Sequence, residues 1–387
     1  KKRNFYSSSI SENTSLLHTV TTSFKNMLKN PINDCRYCSV VSKANGEDPI
    51  GSADYYDHWF VFEVPRPWGE SLWHYPPLEH LMKLSTKLIL QKGIIIKVVM
   101  IAPDKEYSIP EQNRLIHYYR PKGMFAEFEK QEYLLPKIEL VINLLDTILF
   151  SPKQLHKFNN YYQETKHIRD IIVCTHTQVD LACGRFGTPI YQKLRKEYAS
   201  KADDIRVWQS SHFGGHQFAP TLIDLPTGRL WGHLEDETLN PLIYRKGNLK
   251  ELRPYYRGWT GWEKWLQIAE GEIWLQENWQ WLNYDKQGWI VDAGGIGIKK
   301  ILFGILKLIP AKRARIICDR LCKKASWVKV RIKFASPDGG ILGEYTAKVE
   351  ENGEVISAKD SAPSNHDKLD LKPVKQYRVT GLKRKGK

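Results

Sequence analysis

The sequence lacks an apolar run long enough to cross a membrane, because a spanning helix needs about 20 consecutive apolar residues. The longest candidate, residues 296–309, is interrupted by Lys299, Lys300 and Lys307. Cysteine is scarce, with six in 387 residues, so a disulfide scaffold is excluded and a reducing compartment is favoured. Acids are in the minority, with 43 Asp and Glu against 58 Lys and Arg, which gives a net charge of +15. Hydrophobic residues still make up 42% of the chain, which excludes a wholly disordered protein.

The order of strand and helix patterns predicts an α/β protein with a different C-terminal part. We expect an N-terminal segment at 1–30, an α/β domain at 31–150 and a second α/β domain at 151–250. A Trp-rich helical and basic extension follows at 251–325, and a small β-rich segment with a basic tail at 326–387. Predicted strands lie at 58–64, 93–103, 113–119, 168–174, 205–210, 221–225, 229–234, 328–333, 343–350 and 354–359, with a turn at 351–353. Predicted helices lie at 78–91, 137–149 and 189–200.

Four side chains carry most of the chemical argument. Cys174 and Cys183 are the ends of a C-x8-C loop that follows a predicted strand. His212 and His216 are the ends of an H-x3-H loop that follows the next predicted strand. Loops of this kind gather at the carboxyl edge of an α/β sheet, so two thiols and two imidazoles are expected to meet there. Two glycines between the histidines permit the tight turn that would let both rings face one metal.

Three interpretations of this group follow from the residues alone. Two cysteines and two histidines match a tetrahedral zinc site, although eight intervening residues make a wide loop for one ion. A [2Fe–2S] cluster has two irons, so a wide loop and a separate pair of histidines suit it as well. The four residues could also be core residues that bind no metal.

The stretches around these residues resemble a known family. CTHTQVDLACGRFGTPIYQKLR and SSHFGGHQFAPTLIDLPTGRLWGHL are similar to the sucrase/ferredoxin-like family, a branch of the thioredoxin-like ferredoxins. The motif Cys35-Arg-Tyr-Cys38 and the stretches GEDPIGSA and EVPRPW extend the resemblance towards the N-terminus. The resemblance implies a thioredoxin-like ferredoxin domain at 151–250, preceded by a related or degenerate α/β domain. It also implies a [2Fe–2S] cluster with Cys174 and Cys183 on one iron and His212 and His216 on the other.

The function implied by the resemblance is electron transfer, and an electron carrier is favoured over an enzyme. Sucrose hydrolysis is not expected, because a glycosidase needs two carboxylates astride one bond and no such pair stands out. No nicotinamide or flavin fingerprint is present, so a redox partner protein must donate and accept the electrons. Two alternatives remain: a thiol–disulfide or reductive enzyme that uses Cys35 and Cys38, and a zinc-stabilised binding module.

Several other residues could assist the four candidates. His176, Asp180 and His233 are possible partners of the ligands, and Arg185 could offset negative charge. Each could equally be solvated or form a surface ion pair. Cys318 and Cys322 stand one turn apart on a predicted helix and favour a structural role.

The basic stretch from Ile296 to Lys324 contains nine Lys and Arg and a single acid. A basic amphipathic helix is typical of segments that lie on an anionic membrane or bind an acidic protein. The alternative is a helix packed on the ferredoxin domain with its lysines in water. Nucleic-acid binding is not favoured, because no recognition motif accompanies the charge. We therefore expect a cytoplasmic protein that could associate peripherally with a membrane.

Overall fold

A computed structural model describes residues 35–69, 74–309, 312–364 and 367–386. The predicted N-terminal segment 1–30 lies outside the described residues. The fold is mixed α/β, as predicted, with a ten-stranded mixed sheet and a four-stranded antiparallel sheet. Strands from both sides of residue 150 lie in the larger sheet, and the predicted domain boundaries stay a prediction. No helix among the described residues is both long and apolar enough to cross a membrane.

The described residues between 35 and 163 supply five strands of the large sheet and three helices. A single π-helical turn, Leu88–Lys92, extends the second helix, and a 3₁₀ segment, Pro152–Tyr161, precedes the fifth strand. In chain order the elements are α1 (Cys38–Ala44), β1 (His58–Glu63), α2 (Pro76–Lys87), β2 (Ile96–Ile101), β3 (Asn113–Tyr119), β4 (Glu129–Leu135), α3 (Ile138–Phe150) and β5 (Tyr162–Gln163).

The second half completes the large sheet and then builds the smaller one. Its elements are β6 (Arg169–Cys174), α4 (Leu181–Glu197), β7 (Ile205–Ser210), β8 (Leu222–Leu225), β9 (Arg229–Trp231), α5 (Asp236–Tyr244), α6 (Leu249–Leu252), β10 (Tyr256–Trp259), α7 (Lys264–Glu277), β11 (Asp285–Gly294), α8 (Lys299–Leu306), α9 (Lys312–Cys322), β12 (Trp327–Ala335), β13 (Leu342–Ala358) and β14 (Leu371–Gly386).

The large sheet contains the same strand connectivity twice. β1 and β2 are parallel and joined through α2, and the antiparallel strands β3 and β4 follow on the other side of β1. β6 and β7 are likewise parallel and joined through α4, and β8 and β9 follow on the other side of β6. The two units meet where β2 and β7 pair at Ile101 and Ser210. The repeat places the loops after β6 and β7 at one edge of the second unit.

Most tryptophans of the Trp-rich segment lie in the core, where large aromatic side chains bury much apolar surface. Its buried tryptophans are Trp259, Trp262, Trp265, Trp274 and Trp281. Helix α7 packs against β10 of the large sheet and against the smaller sheet, and so joins the two. Its buried Glu270 is neutralised by Arg229, whose guanidinium lies 2.8 Å from the carboxylate. An unpaired carboxylate at this depth would be strongly destabilising.

The structure corrects three local predictions. Helix α4 begins at Leu181 and contains Pro189, because the Asp180 side chain caps its N-terminus by accepting the backbone N–H of Ala182. The two strands predicted at 343–350 and 354–359 are one strand, β13, whose register shifts between Glu351 and Glu354 in place of the predicted turn. The predicted basic tail belongs to β14 and pairs with β13 up to Gly386.

Candidate metal centre

The two cysteines of the C-x8-C motif lie at the junction of β6 and α4. Cys174 is the last residue of β6, and Cys183 lies in the first turn of α4. Both are buried, each with 1% of its surface exposed. Residues 175–180 form the connection, so only the end of the predicted loop is helical, and the second thiol is held in the first turn of α4.

Two glycines allow α4 to approach this junction closely. A Cβ atom at position 187 would overlap the carbonyl oxygen of Cys174, and one at position 184 would overlap the hydroxyl of Thr177. A larger residue at either site would push the helix away from the strand end. Gly184 and Gly187 are therefore part of the structure that holds the two thiols together.

His212 follows β7 and contacts both thiols. Its Nδ1 atom lies 3.9 Å from Sγ of Cys174 and 3.8 Å from Sγ of Cys183. The backbone N–H of His212 donates to Nδ1 of His176 over 3.2 Å, and Nε2 of His176 donates to the carbonyl of Trp68 over 2.7 Å. The structure therefore brings three of the four predicted ligands together, and His176 supports one of them.

His216 lies beside His212 but belongs to a neighbouring group. The two ring centroids are 5.1 Å apart. Nε2 of His216 lies 3.0 Å from a carboxylate oxygen of Asp360, and these groups lie near Asp180. In the neutral ring the carboxylate accepts the Nε2–H and Nδ1 carries the lone pair, and this buried Nδ1 has no hydrogen-bond partner among the described residues.

The two thiols are electrostatically unequal. A hydrogen bond from Cys183 lowers the pKa of Cys174 well below its usual range, and His212 acts in the same direction against the effect of burial. The same hydrogen bond and burial raise the pKa of Cys183. The deprotonated form is thus favoured at Cys174 and disfavoured at Cys183, and cysteines bind metals as thiolates.

Arg257 places a buried positive charge beside this centre. Its guanidinium donates to the carbonyl of Gly214 over 2.9 Å and to the carbonyl and hydroxyl of Ser52, each over 3.0 Å. A Cβ at position 215 would overlap that guanidinium, which explains why a second glycine stands there. Burial lowers the pKa of Arg257 to about 10, so the side chain stays charged near neutral pH. No pattern in the sequence singled out Arg257.

A second cluster borders the centre through Asp180. The backbone N–H and the hydroxyl of Ser361 donate to its carboxylate over 2.8 and 2.7 Å. Sγ of Cys38 lies 3.8 Å from both carboxylate oxygens and 3.3 Å from the hydroxyl oxygen of Ser361. The N-terminal Cys motif and the connection between β13 and β14 therefore both meet α4 at this point.

The remaining sequence candidates have other surroundings. Arg185 is exposed on α4 and lines a groove with Glu235 and Glu237. His233 is buried against the hydroxyl of Ser42, and burial lowers its pKa to about 3. Cys318 and Cys322 are buried in the main core. All six cysteines are free thiols.

Comparisons with known proteins bear on the same region. A model of the sucrase/ferredoxin-like family matches residues 49–258. "Altered inheritance of mitochondria protein 32" of Clavispora lusitaniae is 33% identical over 140 residues, which cover 34% of this chain and 50% of that protein. The protein of the same name in Debaryomyces hansenii is 34% identical over 156 residues, covering 39% and 53%. The chain thus spans about half the length of the curated relatives it matches. No solved structure matches it.

Proposed function

Because the chain belongs to the sucrase/ferredoxin-like family, we propose that it transfers electrons through a [2Fe–2S] cluster held by Cys174, Cys183, His212 and His216. The observation that carries this proposal is the approach of Nδ1 of His212 to both sulfurs, at 3.9 and 3.8 Å. The unpartnered Nδ1 of the adjacent His216 supports a fourth ligand from the same loop.

The donor set suits such a group. Thiolates and imidazoles are the ligands of iron–sulfur centres and of zinc, whereas hard cations prefer oxygen. When bound, a cluster of this type supplies one-electron transfer, and two histidine ligands raise its potential relative to four cysteines. Asp360 orients the ring of His216 so that Nδ1 carries the free lone pair. The guanidinium of Arg257 offsets negative charge at the sulfurs and fixes the carbonyl of Gly214.

The thioredoxin-like assignment of residues 151–250 is part of the proposal. It is supported by the β6–α4–β7 unit followed by the antiparallel strands β8 and β9. The matching unit β1 to β4 supports a related, degenerate copy in residues 31–150. The first strand of that copy, β1, ends at Glu63, whereas the first strand of the second unit, β6, ends at the candidate ligand Cys174.

Spectroscopy of the purified full chain tests the proposal. We expect iron and acid-labile sulfide in equal amounts, and a rhombic electron paramagnetic resonance signal after dithionite reduction with coupling to nitrogen. His216→Cys should shift this signal, because one nitrogen ligand is replaced by sulfur, and Cys183→Ser should abolish it. The matched control Cys318→Ser alters a thiol outside the centre and should leave the signal unchanged. Stoichiometric zinc with a silent spectrum would overturn the proposal and favour a zinc-stabilised binding module.

A thiol–disulfide function of Cys35 and Cys38 is not favoured. Burial raises the pKa of Cys38 to about 12, whereas reactive thiols are exposed and have a lowered pKa. We expect iodoacetamide at neutral pH to modify the partly exposed Cys35 well before Cys38. Rapid modification of Cys38 in the folded protein, with loss of a reductase turnover, would support the thiol enzyme instead.

The two-cysteine, two-histidine site needs external partners. We propose a redox partner protein as donor and acceptor, since no nucleotide motif is present in the sequence. Free thiols at all six cysteines support a reducing compartment such as the cytoplasm.

A further inference from the structure

Helix α8 exposes aliphatic side chains along one side. Ile301, Leu302 and Ile305 lie on α8 at a helical spacing of three to four residues, which places them on one face, and Ile298 and Ile309 continue this spacing just before and just after the helix. We call this set, together with Leu308, the aliphatic face. Its exposed fractions range from 46% at Ile309 to 89% at Ile298, whereas Phe303 on the inner side is 1% exposed and packs in the core.

The exposed apolar side chains of the described residues are concentrated around helix α8. Fifteen large apolar side chains are exposed among the described residues, and seven of them lie between Ile298 and Ile317. Scattered surface apolar residues are normal, but a contiguous patch of them marks an interaction surface. Trp289, 38% exposed, lines the same cleft as Leu308 and Ile309 and extends the patch onto β11.

Basic residues border this face. Lys299, Lys300 and Lys307 are exposed on α8 and just beyond it, and Lys312 and Arg313 are exposed at the start of α9. Two of these charges are partly engaged: the Lys300 ammonium lies 3.7 Å from Asp292, and the Lys312 ammonium lies 2.9 Å from the buried Asp57. The surface around the aliphatic face is therefore strongly positive.

We propose that the aliphatic face docks on an anionic membrane surface, an interaction separate from the electron transfer proposed above. Aliphatic side chains would enter the outer acyl region while the lysines contact lipid phosphates and carboxylates. An eight-residue helix is about 12 Å long, far short of the hydrocarbon thickness, so α8 would lie in the plane of the membrane.

The composition of the face favours a lipid surface over a protein. Its members are all Ile and Leu and offer no side-chain hydrogen bond, whereas protein interfaces are enriched in Tyr, Trp, Met and Arg and carry about ten hydrogen bonds. A bilayer accepts apolar side chains without demanding complementary shape. Flanking lysines, with a tryptophan beside them, are typical of residues at the water–lipid boundary.

Flotation of the full chain with vesicles tests the proposal. We expect the protein to bind phosphatidylcholine vesicles that contain phosphatidylserine, and to bind more weakly without that lipid or at high salt. Lys299→Gln combined with Lys300→Gln should lower the partition coefficient by about 30-fold. Lys105→Gln combined with Lys153→Gln removes the same charge from exposed sites elsewhere and should have no such effect.

A second pair of variants separates apolar insertion from charge. Ile301→Asn should weaken vesicle binding although its exposed position keeps the fold intact, and the control Ile109→Asn should not. The circular dichroism of all variants should match that of the wild type. Absence of binding to anionic vesicles, or binding that Ile301→Asn leaves unchanged, would overturn the proposal. A dimer in solution that Ile301→Asn dissociates, without vesicle binding, would assign the face to a second copy instead.

Discussion

Nε2 of His216 lies 3.0 Å from the carboxylate of Asp360, a residue 144 positions further along the chain. Asp360 lies between β13 and β14, outside the region matched by the family model. The smaller sheet therefore completes the surroundings of the candidate metal centre. Contacts of this kind fix the tautomer of a ligating histidine and tune the group that it binds.

Asp360→Asn tests this contact. Removing an anion beside the centre makes the addition of an electron easier, so we expect the reduction potential to rise. Retention of the metal group should weaken by about 10- to 100-fold, because the ring loses its orienting partner. The matched control Asp370→Asn removes an exposed carboxylate that pairs with Lys372 and should change neither quantity. Equal potentials and equal iron retention in wild type and Asp360→Asn would contradict the role.

Arg257 should affect both the reduction potential of the centre, through its charge, and the stability of the fold, through its hydrogen bonds. Arg257→Met removes the bonds to Ser52 and Gly214 and should lower the free energy of unfolding by about 3 kcal/mol. It should also lower the reduction potential, because a positive charge near the sulfurs is lost. Arg257→Lys keeps the positive charge but can form fewer hydrogen bonds. Its reduction potential should therefore stay near that of the wild type while its free energy of unfolding falls. A Lys variant with the same potential as the Met variant would show that charge is not the cause.

Gly187 and Gly304 form a matched pair of helical glycines. A Cβ at position 187 would overlap the Cys174 carbonyl, so Gly187→Ala should lower the free energy of unfolding by about 1–3 kcal/mol. Nothing lies within 4 Å of a Cβ at position 304. Gly304→Ala should therefore raise stability by about 0.5–1 kcal/mol. Chemical denaturation measures both, and a stable Gly187→Ala variant with an unchanged metal content would contradict the close packing of α4 on β6.

Asp319 should make stability depend on pH. Burial and the nearby Glu263 raise its pKa to about 6, while Lys323, Arg315 and Arg320 act in the opposite direction. The folded state then holds a proton that the unfolded state has released, so the contribution of Asp319 to stability falls as pH rises from about 4 to about 6. Asp319→Asn should be more stable than wild type at pH 7, with a smaller advantage at pH 4.

The control for this prediction is Asp203→Asn at an exposed site. It should change the free energy of unfolding by less than about 0.5 kcal/mol at either pH. Urea denaturation at the two pH values gives the comparison. If Asp319→Asn raises the free energy of unfolding by the same amount at pH 4 and pH 7, Asp319 does not titrate between these pH values.

Much of the local structure follows from short-range patterns. The strands at 113–119 and 205–210 were predicted with the bounds that the structure has, because each is a short segment rich in aliphatic and aromatic residues. The start of α4 was predicted wrongly from Pro189, since the capping role of Asp180 depends on how its side chain turns back onto the backbone. The two short strands predicted around residues 351–353 are one, because Gly353 accommodates a shift of register rather than a reversal.

The sequence by itself determined the α/β class, the family and the four candidate ligands, because their residue types and spacings are local features of the chain. Only the tertiary structure decided which groups surround those ligands. Asp360, Ser361 and Cys38 approach Asp180 and His216 from segments remote in sequence, and no periodicity links them. Such contacts arise because α1 and the smaller sheet pack beside the second α/β unit. That packing is determined by the burial of whole surfaces, a property that no single motif encodes.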